Sequence, residues 1–396
     1  MPSDASAATP PIYLDNAATS FPKPEVVYRT MDQFARTSLA NPGRSAYLMS
    51  QSADRMIDDT RRALNEFFHG EGPERWVFTL NGTDALNMAI KGVLRPGDHV
   101  ITTDLEHNSV SRPLTRMVRE GMITVSRVRS RDGYLDPQAI AAELRPDTRL
   151  VAMTHAANAL GTVQPIGAVA RIVREHGALF LVDAAQSAGV VPIDLKTTEI
   201  DLLAFPGHKG LFGPTGTGAL YVGPRAEPRP WREGGTGGDS KFPVQPDELP
   251  YRLEGGTPNV LGIAGLKAGV EWVRDRGQDA LRKHEVGLLQ SVVDWVDRSS
   301  HGWKVAGAWD ADRHVGALSL VVPDANRADP QEIVTILDGS CGIAARGGLH
   351  CAPYAHRSVG TFPHGTVRVS PGPFSTMADI DSLLTALDEI SAACFP

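Results

Sequence analysis

At 396 residues, 42% hydrophobic and 21% charged, the chain is long enough for two or three domains and is neither disordered nor fibrous. Its 46 acidic against 39 basic residues, a net charge of −7, exclude a broad basic footprint for nucleic acid or an anionic membrane, leaving small molecules or proteins as partners. Three cysteines, Cys341, Cys351 and Cys394, are odd in number and form no CxxC pair, so neither a disulfide framework nor a cysteine-rich zinc site is encoded.

Residues 1–11 lack the basic and apolar regions of a secretory signal and are expected to be a disordered leader, with the cytoplasm as the default location. No apolar run reaches the roughly 18 residues of a membrane span. Ala53, Ile57, Leu64 and Phe68 recur at helical spacing and predict a helix over about 46–69. Strands are expected at Trp76–Leu80, His99–Thr103, Ile123–Val128, Leu150–Thr154, Ala178–Asp183, Asp201–Phe205 and Gly218–Val222. Helices at Asp84–Leu94, Ser109–Arg119 and Ile166–His176 fall between several of them, which implies an α/β fold with a largely parallel sheet. Residues 224–257 are rich in Gly and Pro and read as an excursion from a large domain spanning 12–257. Helices at about 259–276 and 278–298, a strand in Val315–Val322 and a helix near 377–391 predict a smaller α+β domain over 258–396, on which the N-terminal segment is expected to pack.

Ligands of open parallel sheets sit at the carboxyl ends of the strands, so those ends carry the chemistry. The first strand passes through Asn81-Gly82-Thr83 into a helix whose free backbone N–H groups suit a phosphate, although an ordinary cap by Thr83 explains the same residues. A second strand delivers Asp183, able to hold a pyridinium N–H. A third runs into Pro206-Gly207-His208-Lys209-Gly210, where a lysine can form a Schiff base. Singly, Asp183 reads as a helix cap and Lys209 as a surface lysine. Together with the phosphate turn they supply what pyridoxal 5′-phosphate (PLP) requires.

The chain resembles the cysteine desulfurase and selenocysteine lyase group of class V aminotransferase-like, PLP-dependent enzymes over nearly its whole length. The resemblance rests on Tyr13–Thr19, Gly82–Asn87, Glu106–Ser109, Thr154-His155 with Asn158, Val182–Gln186, Gly207-His208-Lys209, Gly256–Asn259 and Arg346–Ala352. It implies the aspartate-aminotransferase-like fold, a large PLP-binding domain plus a smaller C-terminal one. It implies further that Lys209 holds PLP, Asp183 pairs with the ring nitrogen, Gln186 meets the ring oxygen and His107 stacks on the ring. Gly82, Thr83 and His208 would bind the phosphate, and Thr257 would reach the phosphate of the other protomer, which makes the enzyme a homodimer. Ala17, Asn158, Arg346 and Arg368 would surround the substrate, with the two arginines on its carboxylate. Cys351 would be the nucleophile that accepts sulfur from L-cysteine.

Pro206 departs from the family, which often has Ser there, so a phosphate hydroxyl is missing. His350 beside Cys351 and Arg346 five residues earlier are expected to make an electropositive neighbourhood that favours the thiolate, whereas Cys341, expected to begin a strand, and Cys394 read as structural. A zinc site of His350, Cys351, His356 and His364 lacks the paired short spacing of such sites, so no metal is expected. The short segment around Cys351 resembles the subgroup with a compact cysteine loop, in which the cysteine tends to be recessed and a sulfur-acceptor protein is implied. Selenocysteine elimination, transamination or epimerisation would share the PLP site without needing Cys351, and a non-catalytic PLP-binding protein would not need the arginine clamp.

Overall fold

The computed structural model describes residues 11–43, 47–236 and 243–395; the expected leader lies outside them except for Pro11, and so does part of the 224–257 excursion. The chain opens with β1 (Ile12–Tyr13), α1 (Glu25–Thr37) and α2 (Leu48–Phe68). It continues through β2 (Trp76–Thr79), α3 (Gly82–Val93), β3 (His99–Thr103), α4 (Asn108–Arg119), β4 (Thr124–Val128), α5 (Pro137–Ala142), β5 (Thr148–Thr154), α6 (Ile166–His176), β6 (Leu179–Asp183), β7 (Leu202–Pro206) and β8 (Gly218–Val222). After a stretch without helix or strand among its described residues come α7 (Val260–Arg276), α8 (Gln278–Arg298), β9 (Lys304–Val305), β10 (Leu318–Val321) and α9 (Pro330–Cys341). The chain ends with β11 (Ile343–Ala344), β12 (Arg346–Gly348), α10 (Pro353–Ser358), β13 (Thr366–Val369) and α11 (Met377–Cys394).

Seven strands form the main sheet in the order β2-β8-β7-β6-β5-β3-β4. Only β8 runs antiparallel to its neighbours, so the fold is α/β with a mostly parallel sheet. The two-residue period of the strands splits their apolar side chains between two cores: Val151, Met153, Phe180, Val182, Leu203 and Phe205 face one, Leu150, Ala152, Leu179, Leu181, Leu202 and Ala204 the other. Both faces are therefore covered, and ligands can reach the sheet only at its edges and strand ends.

A separate core joins α8, α9 and α11 to a four-stranded antiparallel sheet of order β12-β13-β10-β9. Leu14 belongs to this second core because β1 pairs in parallel with β11. The N-terminal segment thus ties to the far end of the chain and then crosses to the main sheet's carboxyl edge.

Two local readings need correction. Cys341 does not begin a strand: it is the last residue of α9, which stops at Gly342 in the left-handed conformation (φ 65°), and β11 starts at Ile343. The helix after β2 is capped by Asn81, whose Oδ1 accepts from Asp84 N at 2.9 Å, and not by Thr83, which lies inside the first turn.

Candidate active site

A hollow of about 220 Å³ opens where the carboxyl ends of β5, β6 and β7 meet the small sheet. Ala17, Gly82, Thr83, His107, Asn158, Asp183, Gln186, His208, Lys209, Arg346 and Arg368 all line it, so every predicted site residue except Thr257 and Cys351 converges there. Asn81, Pro206 and His350, which the sequence placed beside the phosphate turn, the lysine and the thiol, line it as well, and so does Ser109, to which sequence reasoning gave no role.

Lys209 sits in a turn that only glycine neighbours allow. A Cβ on Gly207 would lie 2.3 Å from Thr217 Oγ1, and one on Gly210 would lie 2.6 Å from Ala188 O. Gly207 N donates to Thr217 O and Gly213 N to Gly207 O, both at 2.8 Å, which closes the turn. From outside, Ser20 N and Oγ and Thr19 Oγ1 all donate to His208 O, so the N-terminal segment straps the turn in place. Burial lowers the Lys209 pKa to about 8; nearby Asp183 opposes the shift, while Arg368 and Arg346 add to it. Among the described residues the Lys209 amine makes no hydrogen bond or ion pair. Pro206, the departure from the family pattern, packs its ring 3.0 Å from the point where a Cβ on Gly82 would be, so the phosphate turn and the lysine turn touch through Gly82 and Pro206.

Asp183 ends β6, buried, with Oδ1 accepting from Ala185 N at 2.9 Å. Burial raises its pKa, and the backbone bond and Lys209 pull the other way. Gln186 donates from Nε2 to Ala17 O at 2.9 Å, fixing the strap against the sheet edge. Glu106 is fully buried; its Oε1 accepts from Thr103 Oγ1 at 2.6 Å and Thr154 N at 3.1 Å, tying the ends of β3 and β5, and burial pushes its pKa up to about 8. The next residue, His107, caps α4 by accepting at Nδ1 from Ser109 N at 3.0 Å. A ring that accepts there carries its proton on Nε2. Burial and then Lys209 and nearby arginines lower its pKa to about 4, so it is neutral at physiological pH. Ser109 Oγ lies 2.8 Å from His107 Nδ1 and 2.7 Å from Thr83 Oγ1, linking the starts of α3 and α4. The signal for Ser109 was present: a hydroxyl two residues past a capping position.

Arg346 and Arg368 are directly opposite each other on β12 and β13. Opposed like charges destabilise a sheet unless an anion sits between or beside them. Arg368, 1% exposed, donates from Nη2 to Asp15 Oδ1 at 2.8 Å and from Nη1 to Asn158 O at 3.0 Å. Among the described residues Arg346 has no carboxylate partner; its Nη2 lies 3.9 Å from Cys351 Sγ.

The neighbourhood expected for Cys351 is half corrected. His350 is buried with Nε2 3.0 Å from Thr366 Oγ1, and burial, followed by Arg368 and other nearby cations, lowers its pKa to about 2. It therefore brings no positive charge to the thiol; Arg346 does, and the buried Arg368 also acts on it. His350 and Cys351 both have left-handed backbone (φ 48° and 59°), which swings the imidazole inward and leaves Cys351 exposed rather than recessed. Asn158 Nδ2 donates to His350 O at 2.6 Å and Asn108 N to Cys351 O at 2.7 Å, so the elbow is clamped to two site elements.

Thr257 is exposed and lines a different hollow, of about 650 Å³, with Arg61, Leu80, Gly216, Arg232 and Tyr251. It does not reach the Lys209 hollow of its own chain.

The donor set fits PLP on structural grounds. A secluded amine lies beside a buried carboxylate, the twelve-residue α3 points its N-terminus at the same space, and the buried His208 Nδ1, Asn158 Oδ1 and Arg368 Nε lack hydrogen-bond partners among the described residues.

Comparison with known proteins agrees. The aminotransferase class-V family matches residues 12–383, and the chain belongs to that PLP-dependent family. Within it, the chain falls among the cysteine desulfurases. It is 35% identical to a probable cysteine desulfurase of Methanothermobacter thermautotrophicus, covering 96% of this chain and 94% of that one. It is 31% identical to a cysteine desulfurase of Haloferax volcanii, over 96% and 89%. Among solved structures, the apo cysteine desulfurase of Thermococcus onnurineus superposes with a TM-score of 0.89 at 31% identity, covering 97% and 95% of the two chains. A cysteine desulfurase of Escherichia coli, in an S-sulfonic acid form, gives 0.85 at 28% identity, covering 98% and 96%.

Proposed function

We propose that this cysteine desulfurase converts L-cysteine to L-alanine and leaves the sulfur on Cys351. The observation that carries the reading is the cross-strand pair Arg346 and Arg368, two arginines opposed across a sheet at the mouth of a lysine hollow, with a thiol beside one of them.

Lys209 would hold PLP covalently, Asp183 would pair with its ring nitrogen, Gln186 with its ring oxygen, and neutral His107 would lie on its ring. Thr83, Gly82 and His208, with the α3 N-terminus, would hold its phosphate; Thr83 and Ser109 share a hydroxyl link that can partly replace the missing serine at Pro206. Bound there, PLP supplies an electron sink that loosens the bonds at the substrate α-carbon. Arg346 and Arg368 take the substrate carboxylate, Arg368 being fixed for the task by Asp15 and Asn158 O. Ala17 closes the substrate side of the hollow. Lys209, with its pKa near 8, takes the α-proton and returns it. Arg346, its Nη2 3.9 Å from Cys351 Sγ, holds the sulfur at the mouth of the hollow, from where the Cys351 thiolate attacks the substrate sulfur. The balance is internal: L-cysteine plus the Cys351 thiol gives L-alanine plus a Cys351 persulfide, with no outside oxidant or reductant.

The exposed Thr257 hydroxyl makes no hydrogen bond among the described residues and would serve a second copy's site, so a homodimer is part of the proposal, as is a sulfur-acceptor protein that meets the exposed Cys351. The three cysteines are unpaired, which suits a reducing compartment, and we place the enzyme in the cytoplasm. No helix among the described residues is long and apolar enough to cross a membrane. The test is to supply L-cysteine to wild type and to Cys351→Ser and to measure alanine. Wild type should form it and the serine variant should lose nearly all of it while keeping its cofactor absorbance; equal rates would remove Cys351 from the reaction.

A further inference from the structure

Residues 339–378 contain no Asp or Glu, in a chain that has 46 of them and a net charge of −7. The same stretch holds Arg346, Cys351, Arg357 and Arg368. Folding buries Arg368 but leaves the others around the thiol. Cys351 is exposed, Arg346 is 3.9 Å from its sulfur, and α10 begins two residues later and carries the exposed Arg357. That helix spans only about 9 Å, so Arg357 stays near the thiol.

Aromatic rings hold the arginines in place. Arg357 lies 3.7 Å over the ring of Phe362, itself 37% exposed, and Arg127 of β4 lies 3.8 Å over the ring of Tyr354 on α10. The acid that attracts Arg127 from beneath, Asp104, is 5% exposed and engaged by Ser130 N, so it presents no carboxylate at the surface. The result is a positive, aromatic-backed rim on an otherwise acidic protein, with the sulfur-carrying thiol inside it.

We propose that this rim, formed by Arg346, Arg357, Arg127 and Phe362, is the docking face for an acidic protein that presents the acceptor thiol; the proposal rests on Cys351 being the sulfur carrier. Charge complementarity selects the partner, because a basic or neutral surface would gain nothing from the rim, and only a partner that carries its own thiol can take the sulfur. In the step itself the acceptor thiolate attacks the outer sulfur of the Cys351 persulfide. The S–S bond to Cys351 breaks, the Cys351 thiolate leaves, and the acceptor becomes the persulfide, with sulfur, electrons and proton all conserved.

The experiment uses the PLP-loaded full-length enzyme, charged with L-cysteine, and two synthetic single-cysteine peptides identical except that glutamates or lysines flank the thiol. The glutamate peptide should take sulfur from Cys351 about tenfold faster at low salt, and the gap should close as salt rises. Arg357→Glu, which takes the rim from three positive charges to a net of one, should shrink the preference severalfold and Arg357→Lys should keep it, while both retain wild-type turnover of L-cysteine with the neutral reductant dithiothreitol. If the two peptides react alike with wild type, or if Arg357→Glu keeps the full wild-type preference, the docking face is wrong. If Arg357→Glu instead changes the sedimentation of the enzyme and not its peptide preference, a second copy covers the face and the proposal falls. If no persulfide forms on Cys351, the reading of the function fails first and takes this proposal with it.

Discussion

The two reactive groups of the site are mounted in opposite ways. Lys209 stands in a turn packed against glycine-only contacts, strapped by Thr19 and Ser20, and shielded enough that its amine titrates near 8. Cys351 stands on the surface, on two successive left-handed residues, held by the Asn158 and Asn108 bonds, the Ala352 N to Leu349 O bond and the His350 anchor on Thr366. Each mounting suits its task. An amine that must be neutral to act needs exclusion from water, and a thiol that must meet first a substrate and then an acceptor needs access to both sides. The strain at residues 350–351 is the cost of aiming a side chain outward from a segment otherwise committed to the core.

The comparison breaks most sharply at Lys209. Lys209→Ala should fold, because the turn is held by its backbone bonds, but should lose at least about 10³-fold in alanine formation. Its PLP should no longer be fixed by borohydride; a variant that retained a reducible link would move the covalent role to another lysine. On the exposed side the effect should be smaller. Thr366→Val removes the His350 anchor and should slow persulfide formation about tenfold while the cofactor spectrum is unchanged, with Thr366→Ser restoring the rate. An unaltered rate in the valine variant would show that the elbow holds itself.

The smallest effect concerns the buried wall between the two cores. Glu285 on α8 is buried against Gly316, and desolvation raises its pKa to about 8 from an ordinary 4.5. The folded chain therefore keeps a proton that the unfolded chain has lost between pH 4.5 and 8, so the stability due to this group is complete below pH 4.5 and is lost as pH rises through 8. Glu285→Gln should melt with wild type at pH 5 and roughly 2 °C above it at pH 8.5, read by calorimetry. A gap that stays constant with pH would mean that Glu285 does not titrate in this window.

The main sheet was legible in the sequence because strands buried on both faces leave unbroken apolar runs such as Leu179–Val182, and the expected strands ended within one residue of the observed ones. Helix α1 was not, since only Val27 and Phe34 of its residues are buried and no continuous stripe forms. Helix α9 left a readable sign, a capping box of Asp329 and Glu332 with Pro330 between, that periodicity alone passed over. In the site, the residues at strand ends could be read individually. The opposition of Arg346 and Arg368 could not, because β12 is a three-residue strand with two glycines and its register depends on pairing with β13. His350 was misjudged because adjacency in sequence suggested adjacency of side chains; the left-handed backbone sends the imidazole and the thiol in different directions.

The central claim is that sulfur leaves L-cysteine for Cys351. The most direct measurement is mass spectrometry of the enzyme's peptides after brief exposure to L-cysteine and alkylation. The peptide containing Cys351 should carry one extra sulfur, and those containing the half-buried Cys341 and Cys394 should not. Alanine formed at full rate with no extra sulfur on Cys351, or with the sulfur on either of the other two, would contradict the account.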